Sequence, residues 1–150
     1  MQIKNKKKIT FDGSKLKVGV VVSRFNQDIT EGLLVSALLT LERCGVKEKN
    51  IKVISVAGAV EIPHVLNKLA KSKKRPDCLV ALACIIRGDT PHFDYVCKMA
   101  QEGVLEVMLE EDMPIGFGVL TVNNKKQARS RLHVGGEATL AALELALMKY

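Results

Sequence analysis

Most of the side chains that could do chemistry in this 150-residue chain fall into four short clusters. They are Arg24-Phe25-Asn26, Gly58 to Glu61, Ile85 to His92, and Thr121 to Asn124. The third cluster contains Gly88-Asp89-Thr90-Pro91-His92, a glycine turn running into a proline suited to the start of a helix. Free backbone N–H groups, the positive end of the helix dipole and the Thr90 hydroxyl would together receive a group the size of phosphate. The same residues also make an ordinary capped turn. His92 sits at the start of that helix, where an imidazole can accept or donate a proton near neutral pH or simply serve the structure. His64 and His133 lack this setting and are expected at the surface. Phe25 and Asn26 set a flat apolar face beside an amide, suited to stacking on a planar heterocycle and reading its edge. A core phenylalanine followed by a turn asparagine fits them equally. Glu61 could accept from sugar hydroxyls, or cap the helix that Pro63 opens.

Four apolar, β-branched runs bring these clusters together: Lys17–Val22, Ile51–Ala57, Cys78–Cys84 and Ile115–Leu120. Each is nearly continuous in apolar residues, as strands buried on both faces of a parallel sheet are. Helical patterns separate them. The first carries Leu33, Leu34, Ala37, Leu38, Leu41 and Cys44 at helical spacing, with Asp28 and Glu31 resembling a capping box and Gly45 following as a C-cap. The second opens at Pro63 and the third near Pro91; a short polar helix (Asn124 to Leu132) and an apolar one (Glu137 to Lys149) close the chain. The alternation predicts a flavodoxin-like three-layer α/β/α sandwich around a four-stranded parallel sheet, as a single domain over residues 1–150. Ligands bind beyond the carboxyl ends of such strands, and that is the edge on which all four clusters fall. Lys8-Ile9-Thr10-Phe11 lies outside the alternation and reads as a short edge strand, so residues 1–15 are expected to form an arm contacting a neighbouring subunit.

Composition removes several alternatives. The charge of +7 is concentrated in two runs, Lys4 to Lys8 and Lys71 to Arg75, which read as a solvated tail and a helix end. With two tyrosines and four phenylalanines the chain offers little for base stacking, so nucleic acid is not expected as a partner. No apolar run approaches a membrane span. The charged start, with no apolar segment after it, leads us to expect a cytoplasmic protein. Cys44, Cys78, Cys84 and Cys97 match no zinc spacing and read as free buried thiols. No HExxH or CxxC motif implies a metal, and no GxGxxG loop, Walker A loop or GxSxG elbow is present.

Together the loops resemble the lumazine synthase family. The resemblance is carried by SRFNQDIT (Ser23–Thr30), GAVEIP (Gly58–Pro63), IIRGDTPHFDYV (Ile85–Val96), PIGFGVLTVNN (Pro114–Asn124), QARSR (Gln127–Arg131) and GGEA (Gly135–Ala138). These stand in the family's order and near its spacing. The RGDTPHFDYV block together with RFN and FGVLT is highly specific. The resemblance implies condensation of 5-amino-6-(D-ribitylamino)uracil with 3,4-dihydroxy-2-butanone 4-phosphate to 6,7-dimethyl-8-ribityllumazine, the penultimate step of riboflavin biosynthesis, with release of phosphate and water. It implies no metal, no cofactor and no covalent nucleophile. It implies that Phe25 stacks on the pyrimidine, that Asn26 and Ala59-Val60-Glu61 bind the ribityl chain, and that Ile85 and Ile86 line the ring pocket. Gly88, Asp89 and Thr90 would cradle the phosphate, Arg131 would pair with it, and His92 would shuttle protons. Phe117 would come from a neighbouring subunit, in a pentamer or an assembly of pentamers. A member that bound riboflavin or lumazine without making it would need no phosphate site, and the presence of His92, Thr90 and Arg131 speaks for the enzyme. Three positions depart from the family: Val60 stands where an aromatic is usual, Val134 where a lysine is usual, and the stretch from Arg131 to Glu137 is shortened.

Overall fold

Strands alternating with helices must run parallel, because each crossover returns the chain to the same end of the sheet. In the computed structural model, which describes residues 10–150, four such strands form one sheet. They are β1 (Val18–Ser23), β2 (Ile51–Val56), β3 (Cys78–Ile86) and β4 (Ile115–Val122), in the order β2-β1-β3-β4. All pairings are parallel, with Val18 opposite both Ile51 and Cys78, and Leu79 opposite Ile115. This is the flavodoxin-like order, in which the direction of winding switches between β1 and β3.

Helices α1 (Gln27–Arg43) and α5 (Val134–Leu147) cover one face, meeting Val18, Val20, Val80, Leu82 and Leu120. Helices α2 (Ile62–Ala70) and α3 (His92–Glu110) cover the other, over Val21, Leu79, Ala81 and Val119. A short helix, α4 (Lys125–Arg129), links β4 to α5. The three-layer sandwich expected from the alternation is therefore the observed architecture.

The structure revises several local expectations. Burial on both faces holds for β1 and most of β3 but not for β2, where Lys52, Val53 and Ser55 are exposed. Among the described residues β2 is an edge strand with β1 as its one neighbour, and the helices sit over the middle of the sheet. Strand β3 runs two residues past Cys84, because Ile85 and Ile86 keep pairing with Thr121 and Val122. There is no capping box at α1: Asn26 is the N-cap, no side chain caps the helix, and Asp28 turns to Lys125 at 3.1 Å. That ammonium, through its hydrogen bond, lowers the Asp28 carboxyl below its ordinary value. Gly45 does follow α1 with φ 77°, a left-handed conformation that glycine adopts without strain. Helix α4 stops at Arg129, and α5 starts at Val134, so Gly135 and Gly136 lie inside a helix. Thr10 and Phe11 form no strand, and Phe11 packs on the α1–α5 side of the core. Lys8 and Ile9 of the expected edge strand lie outside the described residues. All four cysteines are free thiols, three of them buried and Cys97 partly so.

Candidate active site

The loop after β1 is tied to both neighbouring strands. Its Arg24 and Phe25 N–H groups donate to the carbonyls of Val56 (2.8 Å), the last residue of β2, and Ala57 (3.0 Å), just beyond it. Asn26 adopts the left-handed conformation (φ 59°, ψ 48°), which asparagine tolerates better than most residues. Its side-chain amide donates to the Cys84 carbonyl in β3 at 2.9 Å. These ties leave Phe25 on top of the loop, 72% exposed for so large an apolar side chain.

Arg87 fixes the next loop. Its N–H donates to the Val122 carbonyl (2.9 Å) and its Nε to Asn123 Oδ1 (3.2 Å). The guanidinium lies 4.5 Å from the centre of the Phe93 ring, and Nη1 is 3.8 Å from Asp94. Arg87 thus joins the ends of β3 and β4 to the first turn of α3. In that turn the His92 N–H donates to the Thr90 hydroxyl oxygen at 3.4 Å. The N-cap of α3 is Pro91 and no side chain caps the helix, so Thr90 meets only this one loop N–H and its hydroxyl proton remains available to a ligand.

Between these loops lies a cavity of about 670 Å³, the size of a small-molecule site. Phe25, Ala59, Val60, Glu61, Ile85, Ile86, Gly88, Thr90 and His92 all line it. Its walls are largely apolar, with Glu61, Thr90 and His92 among the few polar groups. Glu61 stands at the N-cap position of α2 yet makes no capping hydrogen bond. Its carboxylate folds back over Gly58, where a Cβ would lie 3.1 Å from Oε2.

Four expected residues do not line the cavity. Asn26 is beside it, its amide N–H committed to Cys84. Asp89 is exposed in the turn between Gly88 and Thr90. Phe117 lies in β4 on the α3 side of the sheet, 41% exposed. Arg131 lies beyond α4, where Nη1 donates to the Gln127 carbonyl (2.8 Å) and to Ser130 Oγ (2.9 Å). Sequence reasoning in turn missed Phe93, Tyr95 and Met99 of α3, which form part of the wall. Tyr95 and Met99 sit one turn apart on the face of α3 opposite its buried residues Ala100, Val104 and Val107, and that spacing was the available signal. Cys84 also reaches the cavity; burial pushes its thiol up to about 11, so it stays protonated at neutral pH. Among the described residues no cluster of His, Cys, Asp and Glu is placed to hold a metal ion.

Residues 15–149 match the family model described as 6,7-dimethyl-8-ribityllumazine synthase. The chain is 43% identical over 142 residues to a protein of that name from Kosmotoga olearia, covering 91% of this chain and 90% of the relative. It is 44% identical over 146 residues to another of the same name from Thermobifida fusca, covering 93% and 83%.

Proposed function

The chain belongs to the 6,7-dimethyl-8-ribityllumazine synthase family, and from that premise we propose how its cavity does the work. The enzyme is a transferase of riboflavin biosynthesis that joins 5-amino-6-(D-ribitylamino)uracil to 3,4-dihydroxy-2-butanone 4-phosphate. The pyrimidine amine adds to the ketone and water leaves to give an imine. Phosphate is then eliminated, and the ribitylamino nitrogen closes the second ring with loss of another water.

The observation that carries this reading is the convergence of Phe25, Glu61, Gly88, Thr90 and His92 on one cavity at the carboxyl ends of β1, β2 and β3. Phe25 offers its ring to the pyrimidine, with Ile85 and Ile86 forming the floor. Glu61 accepts from ribityl hydroxyls, beside Ala59 and Val60. The open turn at Gly88, with Asp89 and the Thr90 hydroxyl, meets the phosphate at the start of α3. His92, at the same helix end, carries protons between the amine, the imine and the leaving groups. Condensation of an amine with a ketone is intrinsically feasible, so most of the rate comes from holding the two reactants together. Well-oriented groups gain roughly 7–11 kcal/mol this way, and proton transfer adds roughly 10²–10⁴-fold.

Phe117 and Arg131 enter this scheme only through another copy. Each is exposed and neither lines this chain's own cavity. We therefore assign both to the cavity of a neighbouring subunit, Phe117 covering the ring and Arg131 pairing with the phosphate, in a pentamer or an assembly of pentamers. The exposed apolar side chains Tyr95, Met99, Leu105 and Leu109 on α3 support such an assembly, since an interface would take them out of water. The reading includes a cytoplasmic location; among the described residues no helix is long and apolar enough to cross a membrane.

Calorimetric titration tests the two halves of the site. The ribitylated pyrimidine and inorganic phosphate should each bind, and Phe25→Ala should weaken only the first. A chain that takes the pyrimidine but has no measurable affinity for phosphate would be a binder and not this enzyme.

A further inference from the structure

At the opposite edge of the sheet, where the strands begin, lies a second cavity of about 560 Å³. It is one strand length from the first, about 20 Å at the usual rise per residue. Five lysines line it from three parts of the chain: Lys17 ahead of β1, Lys49 in the turn before β2 with Lys52 at that strand's start, and Lys73 and Lys74 in the turn after α2.

The run from Lys71 to Arg75 reads in sequence as a helix end, and two of its members do serve that role. Lys71 pairs with Glu111 at 3.4 Å. Arg75 donates to the carbonyls of Ala70 (3.0 Å), Glu111 (2.8 Å) and Asp112 (2.7 Å), satisfying the C-terminal ends of α2 and α3. Lys73 and Lys74 have no such task. Among the described residues, none of the five cavity lysines has a carboxylate within 4.0 Å. The nearby Asp77 is already engaged, its carboxylate accepting from the Lys17 backbone N–H at 2.7 Å.

Five unneutralised ammonium groups around one concave surface raise its potential and draw in anions. The residue types narrow the choice. Lysine binds phosphate as a point charge on a flexible stem, so five spaced lysines can follow a chain of linked phosphates. No aromatic ring lines the cavity to stack on a base. We propose that this cavity binds a linear oligophosphate of three or more phosphate groups, at a site distinct from the one at the carboxyl edge.

Equilibrium dialysis of the full-length protein against tripolyphosphate tests this. Saturable binding is expected near one per chain, tighter than for orthophosphate, and weakening as salt screens the charges. The triple variant Lys49→Gln, Lys73→Gln and Lys74→Gln should lose affinity by roughly tenfold or more, while Lys→Arg at the same positions keeps it. The KM for 3,4-dihydroxy-2-butanone 4-phosphate should be the same in all three proteins. Tripolyphosphate binding that survives the glutamine variant would overturn the assignment, as would equal affinity for orthophosphate. So would a loss accompanied by a raised KM, which would put the phosphates in the other cavity. A single-stranded RNA oligomer that binds more tightly than tripolyphosphate, with the same sensitivity to the variant, would also overturn it in favour of a nucleic-acid backbone.

Discussion

His92 and Arg131 hold different positions in this account, and mutation should separate them. His92 lines the cavity at the first turn of α3, so His92→Ala removes proton transfer and leaves both reactants held. Its kcat should fall by roughly 10–10³-fold without vanishing, because positioning survives; an unchanged kcat across the pH range would remove His92 from the chemistry. Arg131 does not line its own cavity, and among the described residues its side chain makes only local hydrogen bonds, to Gln127 and Ser130. Arg131→Ala should raise KM for the butanone phosphate by about tenfold to a hundredfold, the cost of losing one charge-assisted partner. KM for the pyrimidine should change far less. Equal rises for both substrates would make Arg131 a structural residue of the α4–α5 junction. At this scale Gly88, Thr90 and His92 were legible as a group next to a helix start, though a capped turn fitted them equally, and all three line the cavity. Asn26 was harder to read, because an amide can serve a ligand or the backbone, and here its N–H group goes to the Cys84 carbonyl.

The elements explain why Gly116 and Gly135 behave oppositely to Gly88. A Cβ on Gly116 would lie 1.9 Å from the Ala138 carbonyl oxygen, since α5 packs directly on β4 there. Gly135 is equally tight, its would-be Cβ lying 2.1 Å from the Leu33 carbonyl oxygen of α1. The GGEA and GFG motifs therefore set how closely α5 approaches the sheet and α1, and this contact accounts for two glycines within a helix. Gly88 is different: nothing lies within 4 Å of its would-be Cβ. Gly116→Ala should cost roughly 1–3 kcal/mol or more by overpacking, lowering Tm by roughly 5 °C. Gly88→Ala should leave Tm unchanged and raise KM for the butanone phosphate, if the phosphate needs the bare backbone. A Gly88→Ala protein with normal kinetics would move the phosphate elsewhere. Most element positions were legible because buried parallel strands are continuous apolar runs. The exposure of β2 was not legible, because Ile51 to Val56 is as β-branched as a central strand and sheet order is not written in any one segment. The start of α1 was misread because Asp28 has a partner 97 residues away in Lys125, which local spacing cannot reveal.

For the whole molecule, the fold is complete in one chain but the proposed site is not. The cavity gathers the ring, ribityl and proton-transfer residues, while Phe117 and Arg131 stand outside it. Light scattering should therefore find at least a pentamer, and Phe117→Ala should lower activity without altering this chain's own cavity. A monomer of about 16 kDa with full activity would end the shared-site argument. The stretch between Arg131 and Glu137 folds as a tight link from α4 to α5, and the same experiment reads out any assembly beyond a pentamer. The most direct test of the account is turnover itself. The purified protein, mixed with 5-amino-6-(D-ribitylamino)uracil and 3,4-dihydroxy-2-butanone 4-phosphate, should develop lumazine fluorescence and release phosphate in equal amounts, faster than the uncatalysed mixture, and the His92→Ala protein should be slower. Lumazine formation no faster than in the mixture without protein, by a chain that still binds both substrates, would contradict it.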